Sequence, residues 1–443
     1  YYGAATAFNH GLVPYKDFVM VHPPGILLIL TPFTWLANLT SDSFGFYAAR
    51  IFFILIGAVS TYLIYRIGRR FNRTAGVIAA LIYAVWMPVV RIERTPYLEG
   101  IGSLALLIAL YLLPKSNALK NRVAVAGLVL GFAVATKLWF AVPVVIILLW
   151  LLFAKQIQRA IIFGATSLAM FLLVIAPFWY RSGNKFWQLI FTAQLNRGGG
   201  SISSASRIDQ IFNFASFSFI HDFKLRFVIG IILVTTAIVP FMKFFRRREQ
   251  GLLILILFIA QFLVLLKTPV FFNAYPSFAA ATFALIAGIS LGEFHRNLFT
   301  GSLILLLIGV GVYGSLTQAP GQTLPTKIEQ LQFKDNKCVT SDSPAVLALI
   351  NTLSRDIKNN CHLLIDVTGT IYGIDNGANP YHRTATSRRL RSDQYQKEIE
   401  HYLLSGSTII LAREREDGIR PETLSLINQG HTVTKTKSFV IIS

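Results

Sequence analysis

The chain has 443 residues, of which 54% are hydrophobic and only 14% charged, and its mean hydropathy is +0.56. Soluble globular chains carry about 25% charged residues, so this balance excludes a soluble enzyme, and the long apolar runs specify a polytopic α-helical membrane protein. The formal charge of +20 lies almost wholly before residue 320, with 26 Lys and Arg against 8 Asp and Glu there and 15 against 13 beyond; the cations gather at helix ends in no continuous patch, which argues against a nucleic-acid partner.

Residue 1 is a Tyr and no signal peptide follows it, so the chain reads as a fragment or a processed form. Gly11–Gly25, GLVPYKDFVMVHPPG, is polar and turn-rich and carries Asp17 and His22. An acid and a His beside a membrane are costly unless they line a site. Residues 26–39 are short and broken by Pro32, as in an interfacial or re-entrant helix. About ten spans follow, near 44–65, 74–90, 99–113, 122–137, 139–154, 160–179, 227–242, 251–266, 274–292 and 298–317.

Every second connection is basic: Arg66, Arg69, Arg70 and Arg73; Lys115, Lys120 and Arg122; Lys155 and Arg159; Lys243 with Arg246, Arg247 and Arg248; then Arg296. The positive-inside rule makes these loops cytoplasmic. Residues 1–43, the loop at 181–226 and everything after 318 then lie outside. Arg91, Glu93, Arg94, Glu99, Lys137, Arg181, Lys185, Arg197, Arg207, His221, Asp222, Lys224, Arg226 and Lys267 fall on that outer side. The rule gives no reason for cations there. Headgroup contact explains single residues; the gathering suggests an anion site at the outer face.

From 320 onward the pattern changes to a small, mostly parallel α/β domain. Strands are expected at 338–342, 361–369 and 407–412, with a final strand or hairpin at 431–443. Helices are expected at 343–356, 394–406 and 421–430. Cys338 and Cys361 occupy the same place in the first two strands, where either a disulfide or two free thiols would fit. The expected division is an outer loop region at 1–43, a membrane domain at 44–319 and an extracytoplasmic α/β domain at 320–443.

The chain has no P-loop, no dinucleotide fingerprint, no Cys/His metal signature and no nucleophile elbow. What remains is a set of acids, cations and one His on a hydrophobic platform. Such a site suits a lipid-linked, phosphate-bearing substrate: Arg or Lys for the leaving phosphate and a carboxylate for the attacking hydroxyl.

Several motifs share one order and one side. Tyr1–Ala7 is a short Tyr/Ala helix, followed by Gly11 and by His22-Pro23-Pro24. Arg94-Thr-Pro-Tyr-Leu-Glu99, Gly131-Phe-Ala-Val-Ala-Thr-Lys137, Pro177-Phe-Trp-Tyr180, Gln194-Leu-Asn-Arg197, and Lys267 with Tyr275-Pro276 come next. In this order the chain resembles the glycosyltransferase C superfamily. It is most similar to the polyprenyl-phosphate-sugar-dependent transferases that include protein O-mannosyltransferases and aminoarabinose–lipid A transferases. The resemblance implies an integral enzyme of a bacterial-type plasma membrane. It would move a hexose or pentose, with inversion, from a polyprenyl-phosphate sugar to a glycan, lipid or protein acceptor at the outer face. It also implies that a first span and the principal catalytic acid belong before Tyr1. Val21 stands where some members carry Glu, so no metal ligand is assigned and a divalent metal is left open.

Glu99, Asp17 and His22 are the expected catalytic residues, and Lys137, Arg94, Arg197 and Lys267 the expected donor-phosphate contacts. Each has a plainer alternative. Asp17 could cap a turn, His22 could pack on the Pro-Pro corner, Glu99 could pair with Arg94 or Arg91, and Lys137 could snorkel. His221-Asp222 reads as loop structure, not a dyad. A polyprenyl-linked glycan transporter would show interrupted, polar spans, whereas these spans are largely apolar. A non-catalytic scaffold stays open as well.

Overall fold

The computed structural model describes residues 1–443 except 114–119, 200–202, 213–219, 232–234, 236–248, 273, 294–297, 319–336, 380–382, 413–417, 436–438 and 443. Lys115, Lys243, Arg246, Arg247, Arg248, Arg296 and most of the span expected at 227–242 therefore lie outside the described residues. The chain forms two compact units: Tyr1–Ala49 with Ile175–Gly200 and Gly321–Ser443, and Arg50–Val174 with Ser201–Pro320.

Among the described residues of the second unit the regular elements are all helices. Its helices follow the apolar runs: Asp42–Gly68 enters from the first unit, and Arg73–Val85, Leu98–Leu112, Lys120–Val134, Ala141–Phe153, Glu249–Lys267, Ala280–Glu293 and Leu298–Gln318 follow. Among the described residues four helices are long and apolar enough to cross a membrane: Asp42–Gly68, Ile157–Ser182, Gln250–Lys267 and Tyr275–Gly292.

Small residues set how closely these helices pack. Gly288 and Gly292 face Ala79 and Ala75, and a Cβ on either glycine would fall 2.5–2.6 Å from backbone nitrogen of the facing helix. Gly127 and Gly131 face Phe163–Ser167 in the same manner; a Cβ on Gly131 would lie 2.2 Å from the Ser167 carbonyl oxygen. The Ser167 hydroxyl donates to the Gly127 carbonyl at 3.0 Å. Without a hydrophobic driving force between helices in lipid, such close backbone approach supplies the packing.

The first unit is mixed. Helices Tyr2–Asn9 and Gly25–Leu39 pack together. Helix Ile157–Ser182, whose residues up to Val174 belong to the second unit, contains Pro177 and is followed by Gly183 at a φ of 58°; Pro177–Tyr180 thus lies within a helix. Beyond residue 337 a four-stranded sheet forms from β1 (Val339–Ser341), β2 (Thr408–Leu411), β3 (Val433–Lys435) and β4 (Val440–Ile442), in the order β1-β2-β4-β3. Only β1 and β2 run parallel; β2–β4 and β3–β4 are antiparallel. Only four residues separate β3 from β4 in sequence, too few for the crossover that a parallel pair needs.

Two expected elements differ. The strand at 361–369 is not formed. Asp366 accepts the Gly369 N–H at 2.8 Å, and the Thr370 N–H reaches the Asp366 carbonyl at 2.9 Å, so the segment turns into helix Thr370–Ile374. A side-chain acceptor offered the backbone a local partner that competes with a ladder. The helix at 343–356 splits into Pro344–Leu349 and Leu353–Lys358 around Asn351, whose φ is 60°. Cys338 and Cys361 are joined in a disulfide, although only Cys338 adjoins a strand.

Candidate active site

Glu99 lies in the first turn of helix Leu98–Leu112, where the helix dipole favours a carboxylate. Lys137 follows the end of helix Lys120–Val134. The N–H groups of both Thr136 and Lys137 bond the Ala133 carbonyl, at 3.0 and 2.9 Å, and Lys137 itself is extended, with φ −150° and ψ 121°. The next three residues form the single turn Leu138–Phe140. Gly102 fixes where that turn rests: a Cβ there would lie 1.9 Å from the Phe140 ring. The ring therefore lies flush on helix Leu98–Leu112, one turn from Glu99.

The result is a buried ion pair between the Lys137 ammonium and the Glu99 carboxylate, with the two residues 4% and 2% exposed. Lys137 is a partner for Glu99 that the sequence reading did not name. The ammonium also lies 4.1 Å from the Trp139 ring centroid and 4.3 Å from that of Tyr275. The two rings meet edge to face at 4.6 Å. An ammonium held against two aromatic faces gains further electrostatic stabilisation where water is excluded. Tyr275 is fixed in turn: it begins the 3-10 helix Tyr275–Ala279, whose Phe278 carbonyl accepts from buried Gln261 at 2.6 Å. Thr282 donates to the other end of that amide at 2.8 Å.

Replacing Gly102 by Val should drive the Phe140 ring off the helix. Overpacking of this kind costs about 1–3 kcal/mol. Because Phe140 carries Lys137 with it, we expect a displaced Glu99–Lys137 pair together with a lower melting temperature, and Gly102→Ala should show the milder form of both.

The other cations are placed differently. Lys267 is exposed at the C-terminal end of its helix. The Arg94 carbonyl accepts from the Arg50 guanidinium at 2.9 Å. Arg207, on helix Ser204–Phe212, is 4% exposed and packs over the Phe271 ring at 5.5 Å. Phe271 meets Tyr275 at 6.0 Å, so a run of aromatic contacts links Arg207 to the Lys137 cage. Asp222 caps the helix at 223–231 by accepting the Leu225 N–H at 2.7 Å.

In the first unit, Asp17 is exposed and accepts the Val13 N–H at 2.7 Å, closing a turn. Tyr15, inside that turn, has a left-handed φ of 69°. Its buried hydroxyl donates to the His22 carbonyl at 2.7 Å, and its ring meets Phe186 edge to face at 5.0 Å. A bulky residue in this conformation costs about 1–3 kcal/mol and persists only where its surroundings hold it. His22 is half-buried and meets the Tyr1 ring at 5.8 Å. Gln194 donates to the Val21 carbonyl. Arg197 donates to Gln194 and to the Tyr372 hydroxyl, both at 3.3 Å. The motif Gln194–Arg197 thus braces the His22 segment, while Asp17 stands apart from both. Among the described residues no three His, Cys, Asp or Glu side chains converge into a metal-binding group.

The residues that the sequence reading missed are Trp139, Tyr275 as a cage wall, and Tyr15. The first was signalled by its place two residues after Lys137. The third carried no signal, since only the backbone turn reveals it.

No curated protein matches the chain. Among solved structures, ArnT from Cupriavidus metallidurans bound to undecaprenyl phosphate aligns over 100% of this chain and 92% of its own, at 12% identity and a TM-score of 0.56. The archaeal oligosaccharyltransferase AglB from Archaeoglobus fulgidus, in complex with an inhibitory peptide and a dolichol-phosphate, aligns over 99% of this chain and 69% of its own, at 14% identity and a TM-score of 0.56. Identities this low establish a shared fold and nothing further. The family model for glycosyltransferase family 87 matches residues 20–269, more than half of the chain and the stretch that holds Glu99, Lys137 and Arg207; the protein belongs to that family.

Proposed function

We propose that the protein transfers a sugar from a polyprenyl-phosphate donor to an acceptor hydroxyl at the outer face of a membrane. The observation that carries this reading is the buried Glu99–Lys137 pair in its aromatic cage. A positive charge held in a dry, preorganised setting stabilises negative charge that develops on a leaving phosphate. Support also comes from the solved neighbours of like fold, one bound to undecaprenyl phosphate and one to a dolichol-phosphate.

The displacement is written in one step. The acceptor oxygen forms a bond to the anomeric carbon, the bond from that carbon to the phosphate oxygen breaks, and polyprenyl phosphate leaves with the electron pair. The acceptor proton passes to a carboxylate base, and the anomeric configuration inverts. Lys137 faces the leaving phosphate, and Glu99, whose oxygen the ammonium occupies, positions Lys137. For His22 and Arg197 a donor-headgroup role rests on motif order alone. Asp17, Arg94 and Lys267 are outer-side contacts for donor, acceptor or lipid. The disulfide between Cys338 and Cys361 suits an oxidising, extracytoplasmic compartment. The acceptor is a glycan, lipid or protein.

The test is donor choice and stereochemistry with the complete protein in proteoliposomes. Polyprenyl-phosphate mannose and polyprenyl-phosphate arabinose are offered beside the corresponding nucleotide sugars. We expect turnover only of a polyprenyl-phosphate donor, with an inverted anomeric centre in the product. Turnover of the nucleotide sugars alone, or a retained configuration, would contradict the proposal.

A further inference from the structure

Lys137 spends its charge on Glu99, and Asp209 is committed to Arg226, which donates to both carboxylate oxygens through Nε and Nη2. Arg207, two residues before Asp209 on the same helix, is buried to the same extent as Lys137. Its Nε and Nη1 donors have no hydrogen-bond partner among the described residues. A guanidinium taken out of water with unsatisfied donors is costly, and one aromatic face at 5.5 Å replaces little of its lost hydration. Such a group persists where a ligand completes it. The ligand must be an anion, and a guanidinium edge matches the paired oxygens of a phosphate better than a single charge does.

We infer that Arg207 binds a phosphate ester, and that this phosphate is the donor's own. The inference rests on the function proposed above. Phe271 lies between Arg207 and Tyr275, and Tyr275 walls the Lys137 cage. A phosphate held by Nε and Nη1 would thus be placed at the far end of the aromatic run Phe271–Tyr275 from the Lys137 ammonium. The division of labour is that Arg207 holds the phosphate in the ground state, while Lys137, restrained by Glu99, acts as charge develops. An anionic phospholipid headgroup presents the same chemistry, so the experiment must separate the two sources.

The experiment measures the thermal stabilisation of the complete, detergent-solubilised protein by undecaprenyl phosphate, undecaprenol, phosphatidylglycerol and inorganic phosphate. A ligand at free concentration c that binds only the folded state stabilises it by RT ln(1 + c/Kd) and so raises the melting temperature more the tighter it binds at a given concentration. We expect undecaprenyl phosphate to stabilise the native protein and undecaprenol not to. Arg207→Met should weaken the response by about tenfold or more, as loss of a charge-assisted bidentate contact does, with Arg207→Lys in between. The melting temperature of unliganded Arg207→Met reports that it is folded; should it fail to fold, Arg207→Lys carries the comparison. Undiminished undecaprenyl phosphate binding by a folded variant overturns the assignment. Equal, Arg207-dependent stabilisation by phosphatidylglycerol overturns the donor as its source. If the native protein binds undecaprenyl phosphate through Arg207 yet transfers no sugar from a polyprenyl-phosphate donor, Arg207 stands as a phosphate ligand while the proposed function, and the donor as the source of the phosphate, fall.

Discussion

Lys137→Met should destabilise the protein by about 3–5 kcal/mol, the range for stripping one partner from a buried ion pair. The loss comes from what stays behind. Glu99 would be left at 2% exposure, with no ammonium beside it and with Trp139 and Tyr275 presenting ring faces that repel an anion. Glu99→Leu should cost a similar amount for the opposite reason, although the two aromatic faces would soften the isolation of Lys137. The double variant Glu99→Leu/Lys137→Met behaves differently. Replacing both charges by apolar groups of similar volume is often neutral or stabilising, so its melting temperature should return to near that of the native protein. Thermal unfolding in detergent checks all three, and a double variant less stable than either single one would contradict this account of the pair.

Gly131→Ile should be the most damaging single change to the helical unit. A Cβ at this position meets the Ser167 carbonyl oxygen at 2.2 Å, and the next nearest atoms are the Ser167 carbonyl carbon and Cα. All three are backbone, so no rotamer change relieves the contact, and the helices must separate. Separation breaks the Ser167–Gly127 hydrogen bond and displaces the helix end that carries Lys137. Overpacking alone costs about 1–3 kcal/mol, occasionally more, and the loss of backbone contact in lipid adds to it. The expected result is little folded protein by gel filtration and no transfer. Gly309→Ile, where a Cβ would meet nothing within 4 Å, is the control and should behave as the native protein.

The helical part of this fold was legible because apolar runs and their basic ends are local signals. The span expected at 44–65 is the core of helix Asp42–Gly68, and that at 251–266 is the core of Glu249–Lys267. The glycine of the motif Gly131–Lys137 was read as family pattern; its physical work, close approach to Ser167, needed the partner helix. Glu99 and Lys137 were each singled out, yet their pairing across 38 positions of sequence was not, since partner choice belongs to tertiary packing. The false strand at 361–369 has a readable cause. Its apolar run CHLLI fits a strand, but Asp366 and Gly369 make an Asx-type turn that ends it. Arg207 stood in the sequence as one outer cation among many, and only burial and its unpaired donors set it apart.

The central claim is that the caged Glu99–Lys137 pair carries the chemistry of a polyprenyl-phosphate-dependent transfer. The measurement that bears on it most directly is sugar transfer from a polyprenyl-phosphate donor by the Glu99→Leu/Lys137→Met double variant in proteoliposomes. Removing preorganised stabilisation of developing charge costs about 100-fold to 1,000-fold in rate, so the variant should fold as the native protein does and lose at least that much activity. A folded double variant that transfers sugar at the native rate would contradict the account.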